Sequence, residues 1–183
     1  MGCELFLNSD YLSSLQNNLC IPIENTSYLL VEFDVRKELG SSREVEDYLY
    51  EVELKGYVPI IAHVERYFKN RIDIERIQGL VNSGYIIQVN ASSLLGIHGK
   101  TIKNNAYCLI DQGLVHVIAS DTHSAVGKRV PCLQETYTIL SKKYDNQLLK
   151  TLMHDNPSHI LHNEDCEEIQ VKSSFFKNLL KRR

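Results

Sequence analysis

Five short segments rich in β-branched and aliphatic residues constrain the fold of this chain more than any other feature. They span residues 3–7, 28–33, 58–62, 86–89 and 115–119. Because these runs are almost continuously apolar, they predict strands buried on both faces, which is typical of parallel sheets covered by helices. Helical patterns, two of which end just before Gly84 and at Gly113, separate the runs, so strand and helix alternate as in βα units.

The pattern becomes mainly helical after Pro131. Helices are expected over 133–144 and 147–153, and Asn156 with Pro157 predicts a further short helix through Leu161. These helices are expected to cap the sheet. The sequence therefore predicts an α/β fold with parallel strands and C-terminal capping helices.

Length and charge exclude several classes of protein. The chain has 183 residues, the size of one domain, and its formal net charge of -3 gives no general attraction to nucleic acid. Its five cysteines are widely spaced and never form Cys-x-x-Cys, so neither a disulfide framework nor a zinc ribbon is expected. There is no apolar run of about 20 residues and no signal-peptide pattern, so a soluble, cytoplasmic protein is expected.

Polar side chains occur where the predicted strands end. In parallel α/β folds the carboxyl ends of the strands share one face, so these side chains are expected to meet. Mixed carboxylate and imidazole ligands suit zinc, manganese or iron, and such centres activate water for phosphate ester hydrolysis. The set comprises Glu4, Glu32, His63, Arg66, Asn90, Asp121 and His123.

Two arginines are candidates for binding the phosphate. Arg66 follows His63 closely, and Arg129 lies in the loop beyond His123. The planar guanidinium binds phosphate oxygens in a bidentate manner and stays charged throughout a reaction. For Asn90 a turn-forming role competes with a role in the site, and Glu65 is interpreted as a supporting or salt-bridge residue.

Other catalytic schemes lack their motifs. No cysteine is followed by an arginine six positions later, which excludes the usual thiolate phosphatase signature. No Gly-x-Ser-x-Gly elbow occurs. The run from Gly96 to Thr101 resembles a phosphate-binding P-loop, but the first glycine of that motif is replaced by Leu94. A metal-dependent route is therefore favoured.

The motifs resemble those of bacterial capsular-polysaccharide tyrosine phosphatases of the PHP (polymerase and histidinol phosphatase) superfamily. The resemblance runs from Gly2 to about Leu161. It is carried by Gly-Cys-Glu at 2–4, Leu-Val-Glu-Phe at 30–33, His-Val-Glu-Arg-Tyr at 63–67, Ser-Asp-Thr-His at 120–123 and Asp-Asn-Pro at 155–157. Residues 1–163 are accordingly interpreted as the PHP-type phosphatase domain.

This resemblance implies a distorted α/β barrel with a manganese-dependent centre of three metals. The implied substrate is phosphotyrosine on the partner tyrosine autokinase of capsular or exopolysaccharide synthesis. The positions that match metal ligands are Glu4, Glu32, His63, Asp121 and His123. Arg66 and Arg129 match phosphate-binding positions, and Asp121 is also assigned a catalytic role.

The chain departs from the family pattern at its start. Family members begin with His-x-His on the first strand, whereas the first histidine here is His63. Five strands are too few to close a full barrel, so a partial barrel with weakened activity is expected. Edge strands left exposed would favour association into a homo-oligomer.

Three further interpretations remain open. Residues 164–183 are expected to form a basic amphipathic tail, either a solvated terminal helix or a contact with a membrane surface or partner. The chain is also compatible with a non-catalytic binding module of the same fold. A third interpretation is a PHP phosphoesterase that acts on a small phosphorylated metabolite such as histidinol phosphate.

Overall fold

Five parallel strands form one sheet, and their order in the sheet is their order along the chain. The structure is a computed structural model that describes residues 2–8, 10–17, 19–127 and 130–169. The strands are β1 (Glu4–Phe6), β2 (Tyr28–Glu32), β3 (Val58–Ile61), β4 (Ile86–Asn90) and β5 (Val117–Ala119). Each lies within a predicted segment or exceeds it by one residue, which confirms the predicted α/β class with parallel strands.

Eight α-helices are present in the described ranges. They are α1 (Tyr11–Gln16), α2 (Ser42–Glu53), α3 (Ile74–Asn82), α4 (Ala91–Leu95), α5 (Lys100–Asp111), α6 (Leu133–Leu140), α7 (Asn146–Lys150) and α8 (Asn156–Leu161). A 3-10 turn spans Val64–Tyr67, and a π-helical turn over Thr151–Asp155 joins α7 to α8. No helix within these ranges is long and apolar enough to cross a membrane.

Both faces of the sheet are packed, as the apolar runs predict. Buried residues of α1 to α7 pack on one face, where the side chains of Leu29, Val31 and Ile87 are fully buried. On the opposite face a smaller cluster contains Tyr28, Ile60, Ile86, Val117 and, from α8, Ile160. Residues two apart in a strand share a face, so polar side chains placed on this second face project toward the same space.

Two of the predicted helices end earlier than expected. Helix α6 ends at Leu140 instead of residue 144, and α7 ends at Lys150, where the π-helical turn begins. Residues 170–183 of the expected basic tail lie outside the described residues, so the tail stays a prediction. The division at residue 163 and the homo-oligomer also stay predictions.

His116 joins β4 to the start of β5 through two hydrogen bonds to Ile87. Its backbone N–H donates to the Ile87 carbonyl at 2.9 Å, and its ring Nδ1 accepts from the Ile87 N–H at 3.0 Å. Nδ1 must be unprotonated to accept this bond. Burial lowers the pKa of His116 to about 4, so the neutral ring is the native form at physiological pH.

The stability of the protein should therefore fall as the pH drops from about 6.5 to 4. In that window an unfolded histidine, with a pKa near 6.5, binds protons that native His116 excludes. The loss should reach at most about 3 kcal/mol. Denaturant unfolding across this pH range tests it with His116→Asn, whose amide oxygen replaces Nδ1 without titrating, and with the exposed-site control His162→Gln. Equal pH dependence in wild type and His116→Asn would contradict the expectation.

Candidate metal centre

Three ligand-type side chains converge at one edge of the sheet. His63 Nε2 lies 3.4 Å from Glu4 Oε1 and 3.3 Å from Glu32 Oε2. One ligand atom from each of the three side chains lies within 4.8 Å of the others. The described part of the chain holds no other group of three or more such side chains with this spacing. The sequence prediction that Glu4, Glu32 and His63 meet is consistent with this geometry.

Glu4 reaches the cluster from an unexpected position. It is the first residue of β1, whereas Glu32 is the last residue of β2. In the register of the two strands Glu4 pairs with Leu30, and Leu30 and Glu32 lie two residues apart on one face. The Glu4 and Glu32 carboxylates therefore project from the same face of the sheet, and each side chain is 29% exposed.

The backbone at the end of β3 turns sharply to place His63. His63 has a φ of 36°, a left-handed conformation that non-glycine residues rarely adopt. Its N–H donates to Gln88 Oε1 at 2.7 Å, and its ring packs edge-on against Tyr67 with centroids 5.6 Å apart. Such a conformation persists where surrounding contacts hold it, and it is common at functional sites.

The electrostatics of the cluster favour a cation. Burial lowers the pKa of His63, but hydrogen bonds to Glu32 and Glu4 outweigh this effect and raise it to about 9. A positive charge between the two carboxylates is therefore stabilised. A divalent metal ion would serve the same purpose with the imidazole in its neutral, ligating form.

The donor set fits a divalent metal. Ligand atoms about 2.0–2.2 Å from a shared ion in a tetrahedral arrangement lie roughly 3.4 Å from one another. The distances from His63 Nε2 to Glu4 Oε1 and to Glu32 Oε2 are close to this value. Two carboxylates and one imidazole suit manganese, zinc or iron. The two carboxylates are partly exposed, so the site also leaves room for substrate.

Asp121 and His123 form a second group beyond β5. His123 Nδ1 lies 3.3 Å from Asp121 Oδ1, and the His123 side chain is 52% exposed whereas that of Asp121 is 15% exposed. Asp121 has a φ of 50°, so the chain turns sharply at this position as it does at His63. The two residues predicted as further ligands thus lie next to each other but outside the cluster of three.

A chain of buried side-chain amides connects the two groups. Gln88 accepts the His63 N–H and donates from Nε2 to Asn90 Oδ1 at 2.8 Å. Asn90 Nδ2 in turn donates to Asp121 Oδ2 at 2.8 Å. Gln88 and Asn90 are polar residues two apart in an otherwise apolar strand, and this alternation was the signal that sequence reasoning missed at Gln88.

Arg66 lies beside the second group. Its Nη1 is 3.9 Å from Asp121 Oδ2, and its side chain is 20% exposed. The 3-10 turn after β3 therefore carries the guanidinium next to the carboxylate predicted to act with it. Arg129, the other predicted phosphate-binding residue, lies outside the described residues.

Glu65 supports the site from within. Its carboxylate is fully buried and accepts hydrogen bonds from the Ser93 hydroxyl and the Asn90 N–H. These donors belong to the start of α4, so Glu65 ties that helix to the turn that carries His63 and Arg66. Burial raises the pKa of Glu65.

Tyr67 connects the ends of β2 and β3 by hydrogen bonds. Its ring is fully buried, and its hydroxyl accepts from the Phe33 N–H at 3.0 Å and donates to the Ala62 carbonyl at 2.9 Å. This one hydroxyl therefore connects Phe33, which follows Glu32, to Ala62, which precedes His63. The tyrosine of the His-x-Glu-Arg-Tyr motif is thus a positioning residue.

Tyr67→Phe should lower the free energy of unfolding by about 1–3 kcal/mol, because two buried backbone groups would lose their partner. Denaturant unfolding measures the change. Tyr50→Phe is the matched control, since Tyr50 is 57% exposed. An equally small decrease in the free energy of unfolding in both variants would show that the Tyr67 hydroxyl does not stabilise the ends of the two strands.

Comparisons with known proteins agree with this architecture. The family model described as "Capsular polysaccharide synthesis, CpsB/CapC" matches residues 1–162. The tyrosine-protein phosphatase CpsB of Streptococcus pneumoniae is 31% identical over 165 residues, which cover 87% of this chain and 66% of that protein. The tyrosine-protein phosphatase YwqE of Bacillus subtilis is 31% identical over 163 residues, which cover 89% of this chain and 62% of that protein.

A solved structure has the same fold. It belongs to the crystal structures of YwqE from Bacillus subtilis and CpsB from Streptococcus pneumoniae, which are described as unique metal-dependent tyrosine phosphatases. The match has a TM-score of 0.79 at 31% identity and covers 93% of this chain and 68% of the other. The chain thus spans about two thirds of the length of the relatives that it matches, and the predicted PHP-type fold is confirmed.

Proposed function

Since the chain belongs to the capsular polysaccharide synthesis CpsB/CapC family, we propose that it is a metal-dependent protein-tyrosine phosphatase. The observation that carries the proposal is the convergence of the Glu4, Glu32 and His63 side chains around a space that favours a cation. The names of the relatives support the reaction class. The proposed substrate is phosphotyrosine on the tyrosine autokinase of capsular or exopolysaccharide synthesis.

The proposed ligands are Glu4, Glu32 and His63, with Asp121 and His123 as further ligand candidates. The proposed metal is Mn²⁺, and a bound divalent metal lowers the pKa of water and withdraws charge from phosphoryl oxygens. The protein contributes the position of these donors. Tyr67, Gln88 and Asn90 hold the strand ends that carry them.

Arg66 is proposed to bind the phosphate. Its side chain is 20% exposed and its guanidinium lies beside Asp121, so it is held in place and still accessible to substrate. A planar cation with paired N–H donors can stabilise the charge on the phosphoryl oxygens during transfer. Arg129 is proposed to assist it. A cytoplasmic location is proposed for the enzyme, where an autokinase substrate would be phosphorylated.

Hydrolysis by the purified 183-residue chain tests the proposal. With Mn²⁺ present, a phosphotyrosine peptide should be hydrolysed faster than a phosphoserine peptide of the same sequence and faster than histidinol phosphate, and EDTA should stop the reaction. Preference for histidinol phosphate would support the metabolite phosphoesterase instead. Absence of metal-dependent turnover would favour the binding module. Weakened activity relative to the longer relatives stays a prediction, which the same assay measures.

A further inference from the structure

A basic cleft opens beside Arg66. Its volume is about 290 Å³. The side chains of the described residues that line it include three cations, Arg66, Lys69 and Lys100, and no carboxylate. His98 adds an imidazole to the same wall. The whole chain has a formal net charge of -3, so this concentration of positive charge is local.

Arg66, proposed above to bind the phosphate, also belongs to the cleft. This side chain lines the cleft and also lies 3.9 Å from Asp121 Oδ2. A substrate whose phosphate is bound by Arg66 would therefore extend its neighbouring residues toward Lys69 and Lys100. The same side chain therefore borders both the cleft and Asp121, so residues that flank a phosphate bound by Arg66 would lie beside the cleft.

The remaining walls are apolar and suit a peptide. Val35, Phe68 and Ile102 line the cleft, and Phe68 is almost fully buried. Part of the hydrogen-bonding capacity of Lys69 is already used, because its Nζ donates to the Val35 carbonyl. Lys100 is exposed at the first position of α5, and among the described residues its ammonium has no hydrogen-bond or ion-pair partner.

We propose that this cleft, lined by Arg66, Lys69 and Lys100, binds an anionic side chain that flanks the phosphotyrosine in the substrate peptide. The inference rests on the proposed function, since it places the phosphotyrosine at the metal centre. Because Arg66 itself lines the cleft, the anionic residue is expected close to the phosphotyrosine in the peptide, within about two positions, which an extended chain spans in about 7 Å.

Equilibrium binding of non-hydrolysable peptides tests the proposal without requiring turnover. The peptides carry a phosphonate analogue of phosphotyrosine and differ only in glutamate or glutamine at the two positions on either side. With Mn²⁺ present, the glutamate peptides should bind about two- to fivefold more tightly, and this preference should shrink as salt is added. Equal dissociation constants in the wild type would overturn the proposal.

Matched variants locate the effect. Lys100→Gln should remove most of the glutamate preference and leave binding of the glutamine peptide unchanged. Lys103→Gln makes the same charge change one turn along α5, outside the residues that line the cleft, and should keep the preference. A preference that survives in Lys100→Gln, or that Lys103→Gln removes equally, would overturn the assignment to this cleft.

A phosphorylated flanking residue offers the same anionic chemistry as glutamate. A peptide with phosphoserine in place of the glutamate distinguishes the two, and tighter binding of either one identifies the anion that the cleft prefers. Both results support an anionic subsite. Hydrolysis of a simple phosphotyrosine peptide is measured separately, so a failure of the proposed function is distinguishable from a failure of the subsite.

Discussion

His63→Ala should lower Mn²⁺-dependent hydrolysis of a phosphotyrosine peptide by about 10³-fold or more. The imidazole lies within 3.4 Å of both carboxylates and is 3% exposed, so alanine would remove the nitrogen ligand that lies closest to them. Loss of a metal that stabilises several kcal/mol of transition-state charge corresponds to a rate loss of this order. Kinetics with saturating peptide at several Mn²⁺ concentrations measure the change.

Thermal unfolding separates loss of the metal from loss of the fold in this variant. Mn²⁺ should raise the melting temperature of the wild type, since a ligand that binds the native state stabilises it by about 2.7 kcal/mol at 100 times its Kd. His63→Ala should lose most of this shift and still unfold cooperatively. His162→Ala, which changes an exposed histidine, is the control and should behave as wild type. Unchanged turnover in folded His63→Ala would contradict the assignment of the ligand.

Asn90→Leu should produce the second largest effect, a loss of about 10- to 100-fold in kcat/KM. The Asn90 side chain is fully buried and connects Gln88 to Asp121, so leucine of similar size would deprive both residues of this partner. Asp121 would then lose one of the contacts that hold it beside Arg66. The free energy of unfolding should also fall by about 1–3 kcal/mol, because buried polar groups lose hydrogen bonds.

Asn104→Leu is the matched control for this change, because Asn104 is an exposed residue on α5. Its activity and stability should remain close to wild type. The comparison requires folded protein, which denaturant unfolding of both variants establishes. If Asn90→Leu folds and keeps full activity, the buried amides do not position Asp121.

The strands were predictable because their burial follows from local composition. The run Ile-Ile-Gln-Val-Asn of β4 is fully buried, and the sequence alone indicates a strand covered on both faces. The short helix α4 was not predicted. Its five residues include two serines, and its start is held by Glu65, which is 25 residues away from Asn90 in the chain. The helix propensity of the local sequence does not reveal a contact between residues so far apart in the chain.

The candidate site was predictable in part for a topological reason. The carboxyl ends of parallel strands lie at one edge of the sheet, so Glu32 and His63 were expected to meet. In the structure Glu32 Oε2 lies 3.3 Å from His63 Nε2. The role of Gln88 was not predicted, because its hydrogen bonds depend on the exact register of β4 beside β3. The basic cleft was also missed, since its lining residues come from separate turns and from the first turn of α5.

The most direct test is a calorimetric titration of Mn²⁺ into the metal-free chain, with the wild type and Glu32→Gln compared in the same buffer. The Glu32 carboxylate lies 3.3 Å from His63 Nε2, and glutamine keeps its size while removing its charge. At least one Mn²⁺ should bind per wild-type chain, and that binding should be lost or weakened at least about tenfold in Glu32→Gln. Identical titrations for the two proteins would contradict a metal centre built from Glu4, Glu32 and His63.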